Sequence, residues 1–287
     1  MSQLKTWVTE PGGDFALLDS GHGRKLERYG RYRFIRPEPQ AMWAPAGADW
    51  RADGEFIGGS DEEGGGRWHI PGEVPASWVV EAFPGVDIHA ACTPFRHLAY
   101  FPDMMPHWRM IADTLRPGDE FLNLFGYTGV ASLVAAKAGA RVTHVDASKK
   151  AVEAARANAA LNGVESVRWI VEDARKFVAR EVRRGRVYAG ILLDPPKFGR
   201  GPAGETWELT RDLAPLLSDC AALLGAESRF MVLTTYALRL SAHALDALMR
   251  QVMGARGEVE SGELGVREGA RGLVLGTALS AAWRKIA

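Results

Sequence analysis

Short hydrophobic runs alternate with alanine-rich helical patterns from about Thr93 onward. In chain order, the pairs are "EFLNLF" with "ASLVAAKAGA", "RVTHVD" with "SKKAVEAARANAALNG", "VRWIVED" with "ARKFVAREVRR", and "YAGILLD" with "LAPLLSDCAALLGA". Strands that are buried on both faces of a sheet are continuously apolar, and helices connect neighbouring parallel strands. The pattern therefore predicts a mainly parallel α/β sheet with helices on both faces.

The pattern differs before Thr93, where short apolar stretches are separated by turn residues. The stretches are "FALLDS", "RYRFIR" and "SWVVEAF", and they predict a small β-rich unit built from hairpins. We therefore predict two domains: a β-rich domain over residues 1–92, which could grip a substrate, and the α/β domain over residues 93–287.

Composition and charge narrow the class of protein. The 287 residues are 47% hydrophobic and 24% charged, as in ordinary water-soluble globular proteins. No apolar run approaches the roughly 20 residues of a membrane span, and the first residues lack a signal core, so we expect a cytoplasmic protein. The two cysteines, Cys92 and Cys220, are too few for a disulfide framework or a four-thiolate zinc site, and we expect both to be buried.

The 35 basic and 35 acidic side chains cancel, so net charge gives no evidence for a nucleic-acid partner. A local candidate is "GHGRKLERYGRYRFIR", Gly21 to Arg36, in which basic residues alternate with Tyr29, Tyr32 and Phe34. The arginines could neutralise phosphates while the rings stack on unpaired bases. The alternative is a pair of amphipathic strands whose rings belong to the core and whose arginines are solvated.

Ligands bind beyond the carboxyl ends of the strands in parallel α/β sheets, so the residues that follow each predicted strand are the candidate binding positions. The first strand, Glu120 to Phe125, is followed by "GYTG", Gly126 to Gly129. These glycines permit a tight turn and a close backbone approach to a ligand at a helix N-terminus, although such turns also serve as simple connections. Without a G-x-G-x-x-G pattern, a dinucleotide-binding turn is poorly supported.

Acidic residues follow the second and third predicted strands. Asp146 comes twenty positions after Gly126, a spacing at which a carboxylate can accept hydrogen bonds from ribose hydroxyls. Asp173 could accept a hydrogen bond from the adenine amine, with the Ala174 amide facing a ring nitrogen. Each aspartate has an alternative role as the N-cap of the helix that follows it.

The fourth predicted strand ends in "LLDPPKFGRG". Asp194 arrives at the end of a buried run, and Pro195 and Pro196 fix the backbone while removing two N–H donors. The Asp194 carboxylate and the carbonyl beside it can accept hydrogen bonds from a substrate. Phe198 offers a face for a planar ring and Lys197 a positive charge. We therefore predict a site for a flat, polar group such as a nucleobase; the alternative is a stiff turn.

The ordered set "FLNLFGYTGVAS", "VDAS", "ARANAALNG", "EDARKF" and "DPPKFGRG" resembles the class I S-adenosylmethionine-dependent methyltransferases. Within that class, and with the upstream "TPFRHLAYFPDMMPHW", it is similar to the branch related to the ribosomal RNA (cytosine-C5) large-subunit methyltransferases. The resemblance covers roughly Thr93 to Ser241.

The resemblance implies a Rossmann-like, seven-stranded methyltransferase sheet whose last strand is antiparallel, and Val274 to Leu279 is a plausible final strand. It implies S-adenosylmethionine as the cofactor and no metal. The implied cofactor-binding residues are Phe101, Pro102, Phe125, Gly126, Tyr127, Thr128, Asp146, Asp173, Ala174 and Asp194. The implied catalytic residues, facing the transferred methyl and the target, are Asp194, Pro195, Lys197 and Phe198.

The sequence departs from the family pattern at one chemically important position. Transfer to cytosine C5 needs a cysteine nucleophile, which in the related enzymes follows the fifth strand. This chain reads "FMVLTTYALRLS" there, with Thr235 at the matching place. Transfer to nitrogen needs mainly alignment and a group that stabilises the developing positive charge. We therefore favour a nitrogen acceptor over C5.

The leading hypothesis is a methyltransferase that acts on a base in RNA, with ribosomal RNA as the first choice. One rival keeps the cofactor and changes the substrate to a small molecule or a protein, as the balanced net charge favours. A nicotinamide-dependent oxidoreductase is a second rival, against which the missing glycines and the position of Asp173 argue. The third is a non-catalytic binding module.

Overall fold

The computed structural model describes residues 4–58, 66–236 and 240–286 of the chain. Its strands are β1 (Lys5–Thr9), β2 (Phe15–Gly21), β3 (Arg24–Tyr29), β4 (Tyr32–Pro37), β5 (Gly54–Ile57), β6 (Arg67–His69), β7 (Trp78–Phe83), β8 (Val86–Ala90), β9 (Glu120–Leu124), β10 (Arg141–Asp146), β11 (Val167–Val171), β12 (Gly190–Leu193), β13 (Phe198–Arg200), β14 (Thr206–Glu208), β15 (Phe230–Tyr236), β16 (Glu258–Arg267) and β17 (Val274–Arg284). Its helices are α1 (Met105–Thr114), α2 (Val130–Lys137), α3 (Lys149–Leu161), α4 (Ala174–Arg183), α5 (Leu209–Ala222) and α6 (Ala242–Met253), and a short 3₁₀ helix covers Pro102–Met104.

The described residues divide into two compact units. One consists of Val8–Pro106 and Leu264–Thr277, and the other contains His107–Glu263 together with the rest of the described chain. The predicted domain boundary between residues 92 and 93 stays a proposal. The compact units differ from it in two ways: the β-rich unit continues to Pro106, and it also contains Leu264–Thr277 from far along the chain.

The larger sheet has the strand order β1-β16-β17-β15-β12-β9-β10-β11. Strands β9, β10, β11, β12 and β15 pair in parallel, whereas β17 pairs antiparallel to β15. The predicted α/β class and the antiparallel final strand are therefore confirmed. Strand β17 is longer than the predicted Val274 to Leu279, since its pairing with β15 continues to Arg284.

The sheet has eight strands rather than the seven that the family resemblance implies. The additional strand is β1, which lies beside β16 at the edge. An uncovered edge strand presents unpaired backbone N–H and C=O groups, and β1 supplies partners for those of β16. The strand count implied by the resemblance was therefore too low by one. The additional strand lies at the edge of the sheet, away from β9, β10, β11 and β12, which the candidate residues follow.

The core of this unit forms where the central strands meet α4 and α5. Leu122, Ile191 and Leu233 come from neighbouring strands and are fully buried in one hydrophobic cluster with Phe177 of α4 and Leu217 of α5. Burial of each such side chain contributes about 1.5–3 kcal/mol, so the central strands are held firmly. Their carboxyl ends, where the candidate residues lie, are correspondingly well fixed.

The β-rich unit contains a five-stranded sheet of order β2-β3-β4-β5-β6 and a separate β7-β8 hairpin. The three apolar stretches singled out in the sequence correspond to β2, β4 and β7, so the β-rich prediction is confirmed. Tyr29, Tyr32 and Phe34 are buried, while Arg24, Arg31 and Arg33 are exposed. Of the two interpretations of Gly21 to Arg36, the structure supports amphipathic strands whose rings belong to the core. The rings do not offer faces to bases.

None of the helices in the described ranges combines the length and the hydrophobicity that crossing a membrane requires.

Candidate cofactor and substrate site

The turn after β9 has an unusual backbone. Phe125 and Tyr127 have positive φ values of 56° and 47°, and Gly129, the N-cap of α2, has φ 88°. A non-glycine residue in this region costs on the order of 1–3 kcal/mol and persists only where its surroundings fix it. Here the Gly126 N–H donates to the carbonyl of Val145, 3.2 Å away, which ties the turn to β10.

Gly126 packs directly against a buried polar cluster. A Cβ at this position would lie 2.5 Å from Cε1 of His144 and 2.9 Å from Nδ2 of Asn123. Asn123 donates to Oγ of Ser132 at 2.9 Å, and that oxygen lies 3.0 Å from Nδ1 of His144. Burial lowers the pKa of His144 to about 3, so the ring beneath the turn is neutral at physiological pH.

Asp146 at the end of β10 receives two backbone hydrogen bonds. Its Oδ2 accepts from the Tyr127 N–H at 2.9 Å and its Oδ1 from the Ser148 N–H at 2.8 Å. Burial raises the carboxyl pKa and outweighs the lowering by these two donors. The N-cap of α3 is Ser148, so that alternative role of Asp146 was wrong. Each carboxylate oxygen has a second lone pair, which leaves acceptor capacity for ribose hydroxyls.

Asp173, by contrast, is the N-cap of α4. Its Oδ1 accepts from the backbone N–H groups of Arg175 and Lys176, at 3.0 and 3.2 Å. The Arg175 guanidinium also lies 3.1 Å from Oδ2. The N-cap alternative is therefore present, and an adenine amine would have to share this carboxylate with Arg175. Ala174 is the first residue of α4, where helix amides have no intrahelical acceptor.

The "LLDPPKFGRG" stretch runs from β12 into a small hairpin. The Asp194 N–H reaches the carbonyl of Leu124 at 3.4 Å, and Pro195 is buried. Strands β13 and β14 pair antiparallel, and Phe198 is 63% exposed at the start of the hairpin. The Lys197 ammonium lies 5.5 Å from the centre of the Phe198 ring. The hairpin therefore presents an exposed aromatic ring with a cation over it.

Trp207 fixes this hairpin, and sequence reasoning missed it. Its indole Nε1–H donates to the Pro196 carbonyl at 2.6 Å, and its ring lies 5.1 Å from that of Phe125 in the turn after β9. Arg175 donates to the carbonyl of Thr206 at 3.0 Å. The hairpin is thus connected to both the first and the third strand end.

The structure brings most of the predicted residues together. Strands β12, β9, β10 and β11 are neighbours, and backbone hydrogen bonds link their ends: Asp194 to Leu124, Gly126 to Val145, and Glu172 to Asp146. Phe101 and Pro102 lie at the start of the 3₁₀ helix in the β-rich unit, and their role stays a prediction. The catalytic and cofactor roles of the other predicted residues likewise stay predictions.

The residues present fit a nucleoside-containing cofactor. The glycine turn leaves no room for a side chain beneath it, and a desolvated carboxylate stands at the neighbouring strand end. Burial and the charge of Asp146 raise the pKa of Tyr127 to about 12, so its hydroxyl stays protonated. Among the described residues, no group of three or more His, Cys, Asp or Glu side chains is arranged to hold a metal ion.

Comparison with known proteins identifies the family. Residues 107–229 match a family described as conserved hypothetical protein 95. The crystal structure of the S-adenosylmethionine-dependent methyltransferase from Agrobacterium tumefaciens is 46% identical to this chain. The alignment covers 98% of this chain and 93% of that one, with a TM-score of 0.93. The chain belongs to the S-adenosylmethionine-dependent methyltransferases. The predicted class and its cofactor are therefore confirmed.

Curated relatives of this methyltransferase include ribosomal RNA large subunit methyltransferase I from two bacteria. The protein from Shewanella denitrificans is 35% identical over 132 residues, which is 45% of this chain and 33% of that protein. The protein from Aeromonas salmonicida is 33% identical over 137 residues, which is 47% of this chain and 34% of that protein. The aligned stretch spans only about a third of each relative's length.

Proposed function

We propose that this methyltransferase transfers the methyl group of S-adenosylmethionine to a base in RNA, with large-subunit ribosomal RNA as the first substrate to test. The observation that carries the proposal is that the Asp194 hairpin, the Gly126 turn, Asp146 and Asp173 meet at four neighbouring strand ends. The names of the curated relatives support the RNA substrate, over the third of their length that aligns.

In this proposal the chain supplies binding and alignment. S-adenosylmethionine supplies a methyl group that its sulfonium already activates. Gly126, Tyr127 and Thr128 hold the methionine end, Asp146 accepts the ribose hydroxyls, and Asp173 with Ala174 takes the adenine. Asp194 and the adjoining backbone hold the acceptor in line and stabilise its developing positive charge, while Phe198 stacks on the target base. Lys197 contacts phosphate.

The cysteines argue for a nitrogen acceptor. Cys220 is buried in α5 as expected, and burial raises its thiol pKa. Cys92 is only half-buried, which differs from the expectation, but this burial still raises its thiol pKa to about 11. Neither thiol is therefore poised to form the thiolate that addition to cytosine C6 requires. Thr235, at the family's cysteine position, is buried at the end of β15. An amine nitrogen needs no such nucleophile.

The β-rich unit contributes charge in this proposal. Arg31 and Arg33 are exposed at the start of β4, and Arg24 is exposed on the neighbouring strand within 3.3 Å of Glu55. These exposed guanidinium groups suit the phosphate backbone of RNA. The neighbouring rings are buried in the core and are not available to stack on bases. Binding of RNA should accordingly weaken as salt concentration rises.

The first test is calorimetric titration with S-adenosylhomocysteine, with NAD(H) as the control ligand. We expect micromolar binding of S-adenosylhomocysteine alone. Asp146→Ala removes the carboxylate that accepts from the Tyr127 N–H of the turn and from the Ser148 N–H, and it should weaken this binding at least about tenfold without unfolding the protein. Asp119→Ala is the matched control because Asp119 pairs with Arg229 just before β9. Unchanged affinity in Asp146→Ala would remove the assignment.

Substrate class is then read from transfer of tritiated methyl groups. Purified ribosomal RNA, transfer RNA, a protein extract and a small-metabolite pool are offered in parallel. Incorporation into ribosomal RNA, followed by nucleoside analysis showing an N-methylated base, is the expected result. Incorporation only into protein or metabolites would replace the RNA proposal with its rival, and a C5-methylated cytosine would overturn the nitrogen assignment.

A further inference from the structure

Asn158 lies in the last turn of α3 and is 1% exposed. Its side-chain Nδ2 donates to the backbone carbonyl of Thr128, at 2.9 Å. Thr128 belongs to the turn after β9, thirty positions earlier in the chain. A buried amide that reaches across to one carbonyl of a ligand-binding turn is a feature that the roles proposed above do not use.

The packing of α3 explains how Asn158 reaches this carbonyl. Gly129 approaches α3 so closely that a Cβ there would lie 3.0 Å from Cβ of Ala155. Ala155 and Asn158 are three positions apart and therefore share one face of the helix. The small residues at positions 129 and 155 thus bring the turn within hydrogen-bond range of Asn158.

The hydrogen bond fixes more than one atom because the peptide group is planar. The Thr128 carbonyl and the Gly129 N–H belong to the same peptide plane. Asn158 holds the carbonyl, and the Gly129 N–H donates to the carbonyl of Gly126 at 3.0 Å, which closes the turn. Fixing one end of the plane therefore orients the bond at its other end.

Besides the hydrogen bond that closes it, the turn is held by β10 and by α3. The Gly126 N–H is held by Val145 and the Tyr127 N–H by Asp146, both from β10. The Thr128 carbonyl is held by Asn158 of α3. Since Tyr127 has a positive φ, the turn is not a conformation that the chain would keep without such anchors.

We propose that Asn158 is a positioning residue for the S-adenosylmethionine site, which holds the Thr128–Gly129 peptide so that the turn is preformed before the cofactor binds. The proposal rests on the proposed function, since it assigns the turn to the cofactor. A preformed turn loses less conformational entropy on binding, which raises affinity.

The experiment compares Asn158→Leu with Asn162→Leu, a matched control. Asn162 caps the same helix and donates at 2.7 Å to the carbonyl of Asn158, away from the turn. Each variant loses one side-chain donor to a backbone carbonyl. Titration with S-adenosylhomocysteine should give an affinity at least about tenfold weaker for Asn158→Leu, because a buried carbonyl loses its donor, and within about threefold of wild type for Asn162→Leu.

Asn158→Asp provides a readout that lost packing would not produce. An ionised carboxylate at position 158 repels the Thr128 carbonyl, whereas a protonated one can donate to it again. The affinity of this variant relative to wild type should therefore recover several-fold between pH 8 and pH 5.5. A ratio that stays constant with pH would count against a donor role.

Amide hydrogen exchange of the wild-type protein covers the case in which the variants do not fold. The Gly129 amide should be protected before ligand is added, and S-adenosylhomocysteine should change its protection by less than about threefold. Fast exchange without ligand, followed by strong protection with it, would overturn the preformed turn. If wild type bound no S-adenosylhomocysteine, the proposed function would fail; if wild type and Asn158→Leu bound it equally, only this inference would.

Discussion

Replacing Gly126 with alanine tests the close approach between the turn and the cluster beneath it. The new Cβ would lie 2.5 Å from Cε1 of His144 and must move by about 0.9 Å to reach the 3.4 Å at which ordinary contact begins. The imidazole has little room to move, since it is fully buried, hydrogen-bonded to Ser132, and its ring centre lies 4.8 Å from that of Trp169. The strain must therefore be shared between the core and the turn.

Overpacking of this kind costs about 1–3 kcal/mol. If the core accommodates the methyl group, the unfolding temperature should fall by roughly 2–10 °C. If the turn moves instead, the same free energy appears as a loss of roughly five- to 150-fold in affinity for S-adenosylhomocysteine. Thermal unfolding and calorimetry, measured on the same preparation, distinguish the two.

A double-mutant cycle isolates the contact. His144→Ala removes the two closest contacts and leaves the 2.9 Å approach to Nδ2 of Asn123, so Gly126→Ala should cost clearly less in that background than in wild type. Gly72→Ala is the control, because a Cβ at Gly72 meets no atom within 4 Å. An equal cost of Gly126→Ala with and without His144 would refute the steric argument, and so would a single variant that matches wild type in both measurements.

Two further predictions concern buried polar groups. Thr235→Val removes a buried hydroxyl that has no hydrogen-bond partner among the described residues. The free energy of unfolding should therefore be unchanged or higher, and at least half of the methyl-transfer activity should be retained. A tenfold loss of activity in folded protein would show that Thr235 acts in the reaction. Burial lowers the pKa values of His107 and His144 to about 3, so below pH 6.5 only the unfolded state takes up these protons. The free energy of unfolding, measured with urea, should be flat with respect to these groups above pH 6.5 and fall below it by up to about 1.4 kcal/mol per pH unit for each. His107→Gln should show a shallower fall, and an identical slope would contradict the assignment.

The sequence predicts the parallel sheet and the residues at its strand ends because both follow from local patterns. A strand buried on both faces is continuously apolar, and the rule that ligands lie at the carboxyl ends directs attention to Gly126, Asp146, Asp173 and Asp194. Strand limits shifted by a residue or two: β9 ends at Leu124 rather than Phe125.

Contacts between distant residues were beyond the reach of such patterns. Trp207 and Asn158 each donate a hydrogen bond to a backbone carbonyl. Every residue has a backbone carbonyl, so the sequence does not indicate which one will be the acceptor. Asn158 stood within the quoted "ARANAALNG", so a buried asparagine on an alanine-rich face was the available signal. The rings of Tyr29 and Phe34 were ambiguous because alternation fixes which residues share a face, but not which face is covered.

The division of the chain has a consequence for its synthesis. Residues 264–277, which complete the β-rich unit, leave the ribosome long after residue 106. At typical bacterial and eukaryotic elongation rates, that delay is roughly ten to thirty seconds. During that time residues 8–106 lack the segment 264–277, and β1 lacks β16, its neighbour at the edge of the larger sheet. Chaperone demand should therefore peak late in translation, and a stop codon placed just before residue 264 should leave both units incomplete.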